Sequence, residues 1–243
     1  MAELAVRDAN TFFGFWTSRA IDVSLTTLSG ILDKHSVARA ATLSSIGIFV
    51  DSRRGNDVTW QTAAADPRFV PVGTVDPRAG LKCIEEISER AEQGFRSFAL
   101  FPETQGWSLD HACFAEILRI AGEAKATVMV ESEPQGAPTV IARAAERCNA
   151  RVILAGVGYW NLGEALVVMK ATPDVYLETH QLTSADGIEL VVEELGSERL
   201  LFGSRAPLRY FSSSYLRIRF ADLPAGDRAA ILGGNFERVL ERA

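Results

Sequence analysis

The feature that most constrains the fold of this 243-residue chain is a regular alternation of short apolar runs with amphipathic segments. Most runs are five to eight residues long and rich in Val, Ile, Leu and Phe. Continuous apolar runs of this length are typical of strands that are buried on both faces of a parallel sheet. The predicted strands cover residues 4–9, 41–51, 69–76, 96–101, 127–132, 151–156, 175–179 and 200–204.

The segments between these runs carry helical patterns. In residues 81–93, Leu81, Ile84, Ile87 and Ala91 repeat at helical spacing, and Gly94 follows as a terminator. Further helices are predicted over 108–123, 137–149, 161–171, 184–195 and 227–240, the last as one helix or as two around residues 233–234. Residues 53–57 and 102–107 are predicted to be polar loops.

Eight strands that alternate with helices, without a long linker, predict parallel β/α units. Eight units in 243 residues fit an α/β fold of the closed kind, a (β/α)8 TIM barrel, as one domain over residues 1–243. The alternative is an open doubly wound sheet, which usually carries a glycine-rich phosphate-binding turn after its first strand. Residues 8–14 read DANTFFG and contain no GxGxxG, so the barrel is favoured.

Composition narrows the functional classes. A net charge of −6 does not attract a polyanion, so neither nucleic acid nor an anionic membrane is expected as a partner. No segment reaches the ~20 apolar residues that span a bilayer, and residues 1–6 lack the pattern of a signal peptide. Three cysteines without CxxC spacing suit a reducing compartment, and we expect a cytoplasmic protein. With only three histidines, a cluster of histidine ligands is nearly excluded.

In such a barrel the active site lies at the C-terminal ends of the strands. The polar residues expected there are Asp8, Asn10, Asp51, Asp76, Glu103, Glu131, Glu133, Tyr159, Glu178, His180, Ser204 and Arg205. Carboxylates beside one Arg and one His indicate acid/base chemistry with anion binding. Two readings stay open at this point. His180 is either catalytic or a satisfied wall residue, and Arg205 either clamps a substrate carboxylate or pairs with Glu131 or Glu178.

Two C-terminal motifs resemble the amidohydrolase-related family of metal-dependent TIM-barrel hydrolases, which includes decarboxylases and lactonases. Residues 196–207 read GSERLLFGSRAP, close to the family pattern G-x-x-R-h-h-F-G-S-D-x-P, where h is apolar. Residues 231–240 read ILGGNFERVL and resemble its closing helix. The stretch from Asp8 to Phe12 stands where the family has D-x-H-x-H. The resemblance implies the barrel fold, and it suggests a homodimer.

The chain departs from the family at every expected metal ligand. Asn10 and Phe12 replace the two histidines after strand 1, Glu131 and Gly156 replace those of strands 5 and 6, and Arg205 replaces the strand 8 aspartate. Phe and Gly side chains cannot ligate, and a permanent guanidinium charge opposes a cation. The resemblance therefore predicts no metal cofactor, and an ion pair between Arg205 and Glu131, Glu178 or Asp8 in its place.

Three functions compete. The first is a metal-independent enzyme that hydrolyses or decarboxylates a small carbonyl or carboxylate compound. Its predicted catalytic residues are Glu131, His180 and Arg205, and its predicted substrate-binding residues are Asp8, Asn10, Glu178 and Arg205. It requires a cavity of at least ~300 Å³ that holds Arg205 and a carboxylate. A mouth plugged by Phe12, Phe13 and Trp16 would count against this enzyme. The second function, suggested by the missing ligands, is an inactive barrel that binds a ligand or partner. The third is a metal enzyme with a relocated ligand set comprising Asp8, Glu131, Glu178 and His180.

Overall fold

The computed structural model describes residues 5–241 of the chain. Eight strands alternate with helices along it. The strands are β1 (Val6–Phe13), β2 (Val37–Ser44), β3 (Phe69–Pro71), β4 (Ser97–Leu100), β5 (Thr127–Glu131), β6 (Arg151–Ala155), β7 (Val175–Glu178) and β8 (Leu200–Leu201). The helices are α1 (Leu25–Lys34), α2 (Ile46–Phe49), α3 (Ser52–Ala65), α4 (Leu81–Gln93), α5 (Pro102–Gln105), α6 (Ala112–Glu123), α7 (Ala137–Cys148), α8 (Leu162–Ala171), α9 (Gly187–Leu195), α10 (Phe211–Arg219) and α11 (Ala225–Ala229).

The strands close into a barrel. All pairings are parallel and follow the order β1-β2-β3 and β4-β5-β6-β7-β8. Parallel bridges join the two sheets at both edges, Gly73 with Phe98 and Thr11 with Ala206. The Ala99 N–H donates to the Gly73 carbonyl at 2.8 Å, which links β4 to the chain after β3. The predicted (β/α)8 barrel is confirmed.

Two apolar layers form because side chains alternate along each strand. In β5, Val128 and Val130 pack outward against the helices, whereas Met129 points into the barrel. In β6, Ile153 and Ala155 point inward. Both faces of each strand are therefore buried, which is why the strands appear in the sequence as continuous apolar runs rather than as alternating ones.

The chain end closes the bottom of the barrel. After α11 it continues in π-helical turns over Ala230–Gly234 and Glu237–Glu241. Phe236 and Val239 join the inner apolar layer, and the Thr127 hydroxyl donates to the Val239 carbonyl at 2.8 Å. The sequence predicted a helix over 227–240, alone or in two parts; the structure places three short helical segments there.

The region after β2 differs from the prediction. The apolar run 41–51 is not one strand, because β2 ends at Ser44 and the short helix α2 follows. The predicted loop 53–57 lies inside α3, where the Asp51 carboxylate caps the helix by accepting from Arg54 N–H at 2.8 Å. A Cβ at Gly55 would lie 2.1 Å from the backbone nitrogen of Gly47, so two glycines let α2 and α3 pack backbone to backbone. The burial of α2 explains its strand-like composition.

Other boundaries differ by a few residues. The predicted loop 102–107 contains α5, and the predicted strand 69–76 shortens to β3. Residues 1–4, 242 and 243 lie outside the described residues. The first residue of the predicted strand 4–9, most of the segment 1–6 and both ends of the predicted domain are therefore not described. Among the described residues, no helix has the length and apolar character to cross a membrane.

Candidate functional site

A cavity of about 280 Å³ opens at the C-terminal ends of the strands. Its lining comprises Trp16, Ser18, Arg19, Glu103, Thr104, Glu131, Glu133, Arg205, Leu208 and Arg209. A larger cleft, of about 530 Å³, lies apart from it between α2, α3 and α4. Asp51 and Asp76 line that cleft, where Asp51 caps α3 and Asp76 pairs with Arg78. Two of the expected mouth carboxylates are therefore structural and remote from Arg205.

Arg205 occupies the centre of the mouth. Its backbone has a left-handed φ of 57°, and its N–H donates to the Asn10 carbonyl at 2.8 Å. Nη2 donates to Glu131 Oε1 at 3.0 Å, and Nη1 donates to Glu133 Oε1 at 3.2 Å. The guanidinium carbon lies 5.9 Å from the centre of the Trp16 ring. The predicted ion pair with Glu131 is present, and only 12% of the Arg205 side chain is exposed.

Glu131 is held by α5, an element that the sequence did not predict. Thr104 donates its backbone N–H to Glu131 Oε2 at 3.0 Å and its hydroxyl to Oε1 at 2.7 Å. With the bond from Arg205, Glu131 accepts three hydrogen bonds. Hydrogen bonds of this kind stabilise the ionised carboxylate. Only the helical turn of α5 brings Thr104 to this position, so no motif could have identified it.

Glu133 reaches Arg205 because of Gly156. A Cβ at Gly156 would lie 2.6 Å from Glu133 Cγ, and the glycine has a φ of 86°. The residue at the family's strand 6 ligand position thus makes room for a second carboxylate beside the guanidinium. A sequence search for ligating side chains overlooks a glycine of this kind.

Beneath Arg205 lies a buried polar chain. His180 Nδ1 contacts Glu178 Oε2, the His180 backbone N–H donates to Glu178 Oε1 at 2.6 Å, and Asn10 Nδ2 donates to Glu178 Oε2 at 3.0 Å. His180 Nε2 lies 3.3 Å from Arg205 Nη1. Because a guanidinium can only donate, His180 Nε2 accepts and Nδ1 carries the proton toward Glu178. Burial raises the pKa of Glu178, but its contacts with His180 and the hydrogen bond from Asn10 outweigh burial and hold this pKa below its usual range.

Asp8 is fully buried beside this chain. Its Oδ1 accepts from the Ser204 N–H at 3.0 Å and from the Asn10 N–H at 3.1 Å, and its Oδ2 accepts from the Ser204 hydroxyl. Burial raises the pKa of Asp8 to about 7, although the hydrogen bonds from Ser204 and Asn10 lower it.

The predicted site residues therefore fall into two groups. Glu131 and Arg205 line the cavity. Asp8, Asn10, Glu178 and His180 lie beneath it and do not line it, and only 1% of the His180 side chain is exposed. The structure brings the six residues into one connected region. Two of them form part of the cavity wall, and the other four are buried beneath it.

Two arginines that line the cavity, Arg19 and Arg209, were not predicted from the sequence as site residues. Arg209 follows Arg205 by one turn, and its backbone N–H donates to the Arg205 carbonyl at 3.1 Å. Arg19 donates from Nη1 to the Leu208 carbonyl at 3.3 Å. Burial, followed by the charges of Arg205 and Arg19 among the nearby groups, lowers the pKa of Arg209. The sequence signal that could have identified Arg209 is its position four residues after Arg205.

The side chains at the centre do not fit a divalent ion. Within residues 5–241, no group of three or more His, Cys, Asp or Glu side chains is arranged to hold a metal. The Arg205 guanidinium stands between Glu131 and His180 and bonds to both. A fixed positive charge in this place repels a cation.

Comparisons with known proteins place these residues in a family. The amidohydrolase family model matches residues 25–242. The 5-carboxyvanillate decarboxylase from Sphingomonas paucimobilis has a TM-score of 0.78 at 16% identity, covering 99% of this chain and 100% of that chain. An enzyme of the same name from Novosphingobium aromaticivorans, crystallised with manganese and 3-methoxy-4-hydroxy-5-nitrobenzoic acid, has a TM-score of 0.78 at 14% identity, with coverages of 100% and 99%.

A TIM-barrel protein from Bordetella bronchiseptica has a TM-score of 0.77 at 16% identity, covering 97% of this chain and 98% of that chain. No curated protein matches the sequence. At these identities the solved structures establish the TIM-barrel fold and nothing finer.

Proposed function

The chain belongs to the amidohydrolase family, and from that membership and the geometry of the mouth we propose an enzyme that hydrolyses or decarboxylates a small carbonyl or carboxylate compound without a metal. The observation that carries the proposal is the cavity of about 280 Å³ in which Arg205 meets Glu131 and Glu133. This volume is slightly below the ~300 Å³ that the enzyme hypothesis required, which is the lower end of small-molecule sites. Phe12 is buried against Trp16, with 5.6 Å between ring centres, and lies outside the cavity lining.

Arg205 supplies a fixed positive charge in this proposal. A guanidinium has five N–H donors, and Glu131, Glu133 and His180 engage three of them. Two N–H groups remain to bind a carboxylate or a developing oxyanion, in a site where the donors are already oriented. Glu131 is the proposed proton-transfer residue because it lines the cavity and sits beside Arg205. His180, Glu178, Asn10 and Asp8 complete the proposed site as its support.

Metal independence is part of the proposal, although relatives of this fold crystallise with manganese. It rests on the donor set, since Asn10, Phe12, Gly156 and Arg205 stand where the resemblance expects ligands. Elemental analysis of the purified protein, followed by activity assays after chelation, tests it. Near-stoichiometric metal would refute it.

The experiment for the reaction is a turnover screen over small carboxylic acids, lactones and amides. We expect one class to be converted by the chelated protein, and Glu131→Gln to lower kcat by about 10²–10⁴-fold, the usual contribution of general acid–base catalysis. Glu146→Gln, a change at an exposed residue of α7, is the matched control and retains full activity. Equal loss in both variants would refute the role of Glu131.

The second candidate is a barrel that binds a ligand without turnover. The hydrogen bonds that already saturate much of Glu131 and the burial of His180 favour it. It predicts that ligands from the same screen raise the melting temperature while no product forms. Detection of product that depends on Arg205 would exclude it.

We also propose that the protein acts in the cytoplasm as a homodimer. The free cysteines Cys83, Cys113 and Cys148 suit a reducing compartment. Light scattering of the purified protein measures the dimer, and cell fractionation measures the location.

A further inference from the structure

The charged side chains on the cavity wall differ in whether they form ion pairs within the protein. Three arginines and three glutamates line it. Arg205 is engaged by both Glu131 and Glu133, so its charge is offset inside the protein. Among residues 5–241, the Arg209 side chain makes no hydrogen bond or ion pair, and that of Arg19 bonds only the Leu208 carbonyl.

We propose that Arg209 and Arg19 form an anion-binding subsite that takes the carboxylate of a small organic acid; this inference rests on the proposed function of the cavity. Guanidinium groups match a carboxylate because their paired N–H donors bind its two oxygens in one plane. The backbone bond from Arg209 to Arg205 and the bond from Arg19 to Leu208 hold the two side chains beside the same cavity.

The environment of Arg209 favours the binding of an anion. The side chain is half-buried, and Arg205 and Arg19 repel its charge, whereas Glu133 and Glu178 attract it without forming an ion pair among the described residues. A partly desolvated charge without a partner is unfavourable, and an incoming anion relieves it. Because burial and those arginines lower the pKa of Arg209, a bound carboxylate also restores the stability of the charged form.

The rest of the wall limits the ligand. Trp16 and Leu208 give the cavity an apolar side, and Glu103 adds a negative charge at its exposed edge. A volume of about 280 Å³ admits a small molecule and excludes a peptide or nucleic acid. The subsite therefore fits a compact acid with one carboxylate and an apolar or aromatic body.

Benzoate and benzamide are suitable probes, because they share shape and differ in charge. We expect calorimetric titration to show benzoate binding at least 10-fold more tightly than benzamide. Arg209→Met should weaken benzoate binding by about 10- to 100-fold, the effect of losing a charge-assisted bond. Arg209→Lys should lose less, since it keeps the charge but not the paired donors. Arg143→Met, at an exposed arginine of α7, should leave the affinity unchanged.

A stability measurement separates binding from a structural role. Since Arg209 has no carboxylate partner in the part of the chain that the structure describes, ligand-free Arg209→Met should melt no lower than wild type. A lower melting temperature would mean that the arginine supports the fold and would overturn the proposal. Equal binding of benzoate and benzamide, no binding of either, or tighter binding of inorganic phosphate than of benzoate would also overturn it.

Failure of this subsite and failure of the proposed enzyme are distinguishable. Binding that depends on Arg209 without any turnover supports the subsite and refutes the enzyme. Turnover that Arg209→Met leaves unchanged supports the enzyme and refutes the subsite.

Discussion

Replacing Asp8 with asparagine should remove a pH dependence from the stability of this protein. The Asp8 carboxyl is fully buried, and its pKa rises to about 7 because burial disfavours the charged form. Asparagine keeps the shape and the oxygen that accepts from the Ser204 and Asn10 N–H groups. Its amide can donate to the Ser204 oxygen, so the hydrogen bonds persist while the titration disappears.

The sign follows from proton binding. Between the ordinary pKa of 3.8 and the folded value of about 7, the folded protein keeps a proton that the unfolded chain releases. The free energy of unfolding therefore falls as the pH rises through this range, and it levels off above it. At 1.36 kcal/mol per tenfold change, the complete effect is about 4 kcal/mol, of which about 3 kcal/mol falls between pH 5 and pH 8.

Urea unfolding of wild type and Asp8→Asn between pH 5 and pH 8 measures this difference. Subtracting the two curves removes the contributions of every other titrating group. Asp110→Asn, at an exposed aspartate, is the matched control and should give a curve parallel to that of wild type. Parallel curves for wild type and Asp8→Asn, or a wild-type stability that rises more steeply with pH than that of the variant, would refute the reasoning.

Further predictions concern the centre of the mouth. In urea titrations, Arg205→Met should lower the free energy of unfolding by about 3 kcal/mol, because it leaves the buried Glu131 carboxylate without its ion-pair partner. Adding Glu131→Gln should restore part of the loss, and additive effects of the two substitutions would contradict this. Gly156→Ala should destabilise by about 1–3 kcal/mol through contact with Glu133 and its positive φ, whereas Gly163→Ala, with open space around it, should be neutral or stabilising by calorimetry. Chelation or added manganese should leave the melting temperature of the wild type unchanged, and a metal-dependent shift would contradict the assignment of the centre.

The barrel was predictable because burial on both faces leaves a strong trace in the sequence. Residues 127–132 and 151–156 were predicted as strands, and β5 and β6 each end one residue earlier than predicted. The region after β2 was not predictable in the same way. Burial gives α2 a strand-like composition, and only the contact of Gly47 with Gly55 reveals the packing of two helices.

The site was predictable where motifs fixed a position on a strand. Glu131 and Arg205 end strands that converge on one barrel face, so their ion pair followed from topology and charge. Thr104 depends on α5, and the role of Gly156 depends on the space beside a side chain from another loop. Such contacts arise between distant segments, and neither spacing nor periodicity encodes them.

In the proposed metal-free site, the Arg205 guanidinium occupies the centre of the mouth and determines its electrostatics. His180 Nε2 accepts from Arg205, and Glu178 fixes this orientation of the ring through Nδ1. A dication would leave the mouth with excess positive charge to attract an anion, whereas Arg205 is offset by Glu131 and Glu133. The two remaining N–H groups of Arg205 can orient an anion, but its charge is already offset. Arg209 adds positive charge on the same wall, and its side chain has no bond among the described residues. We therefore expect anion binding in this cavity to depend on Arg209 as well as on Arg205.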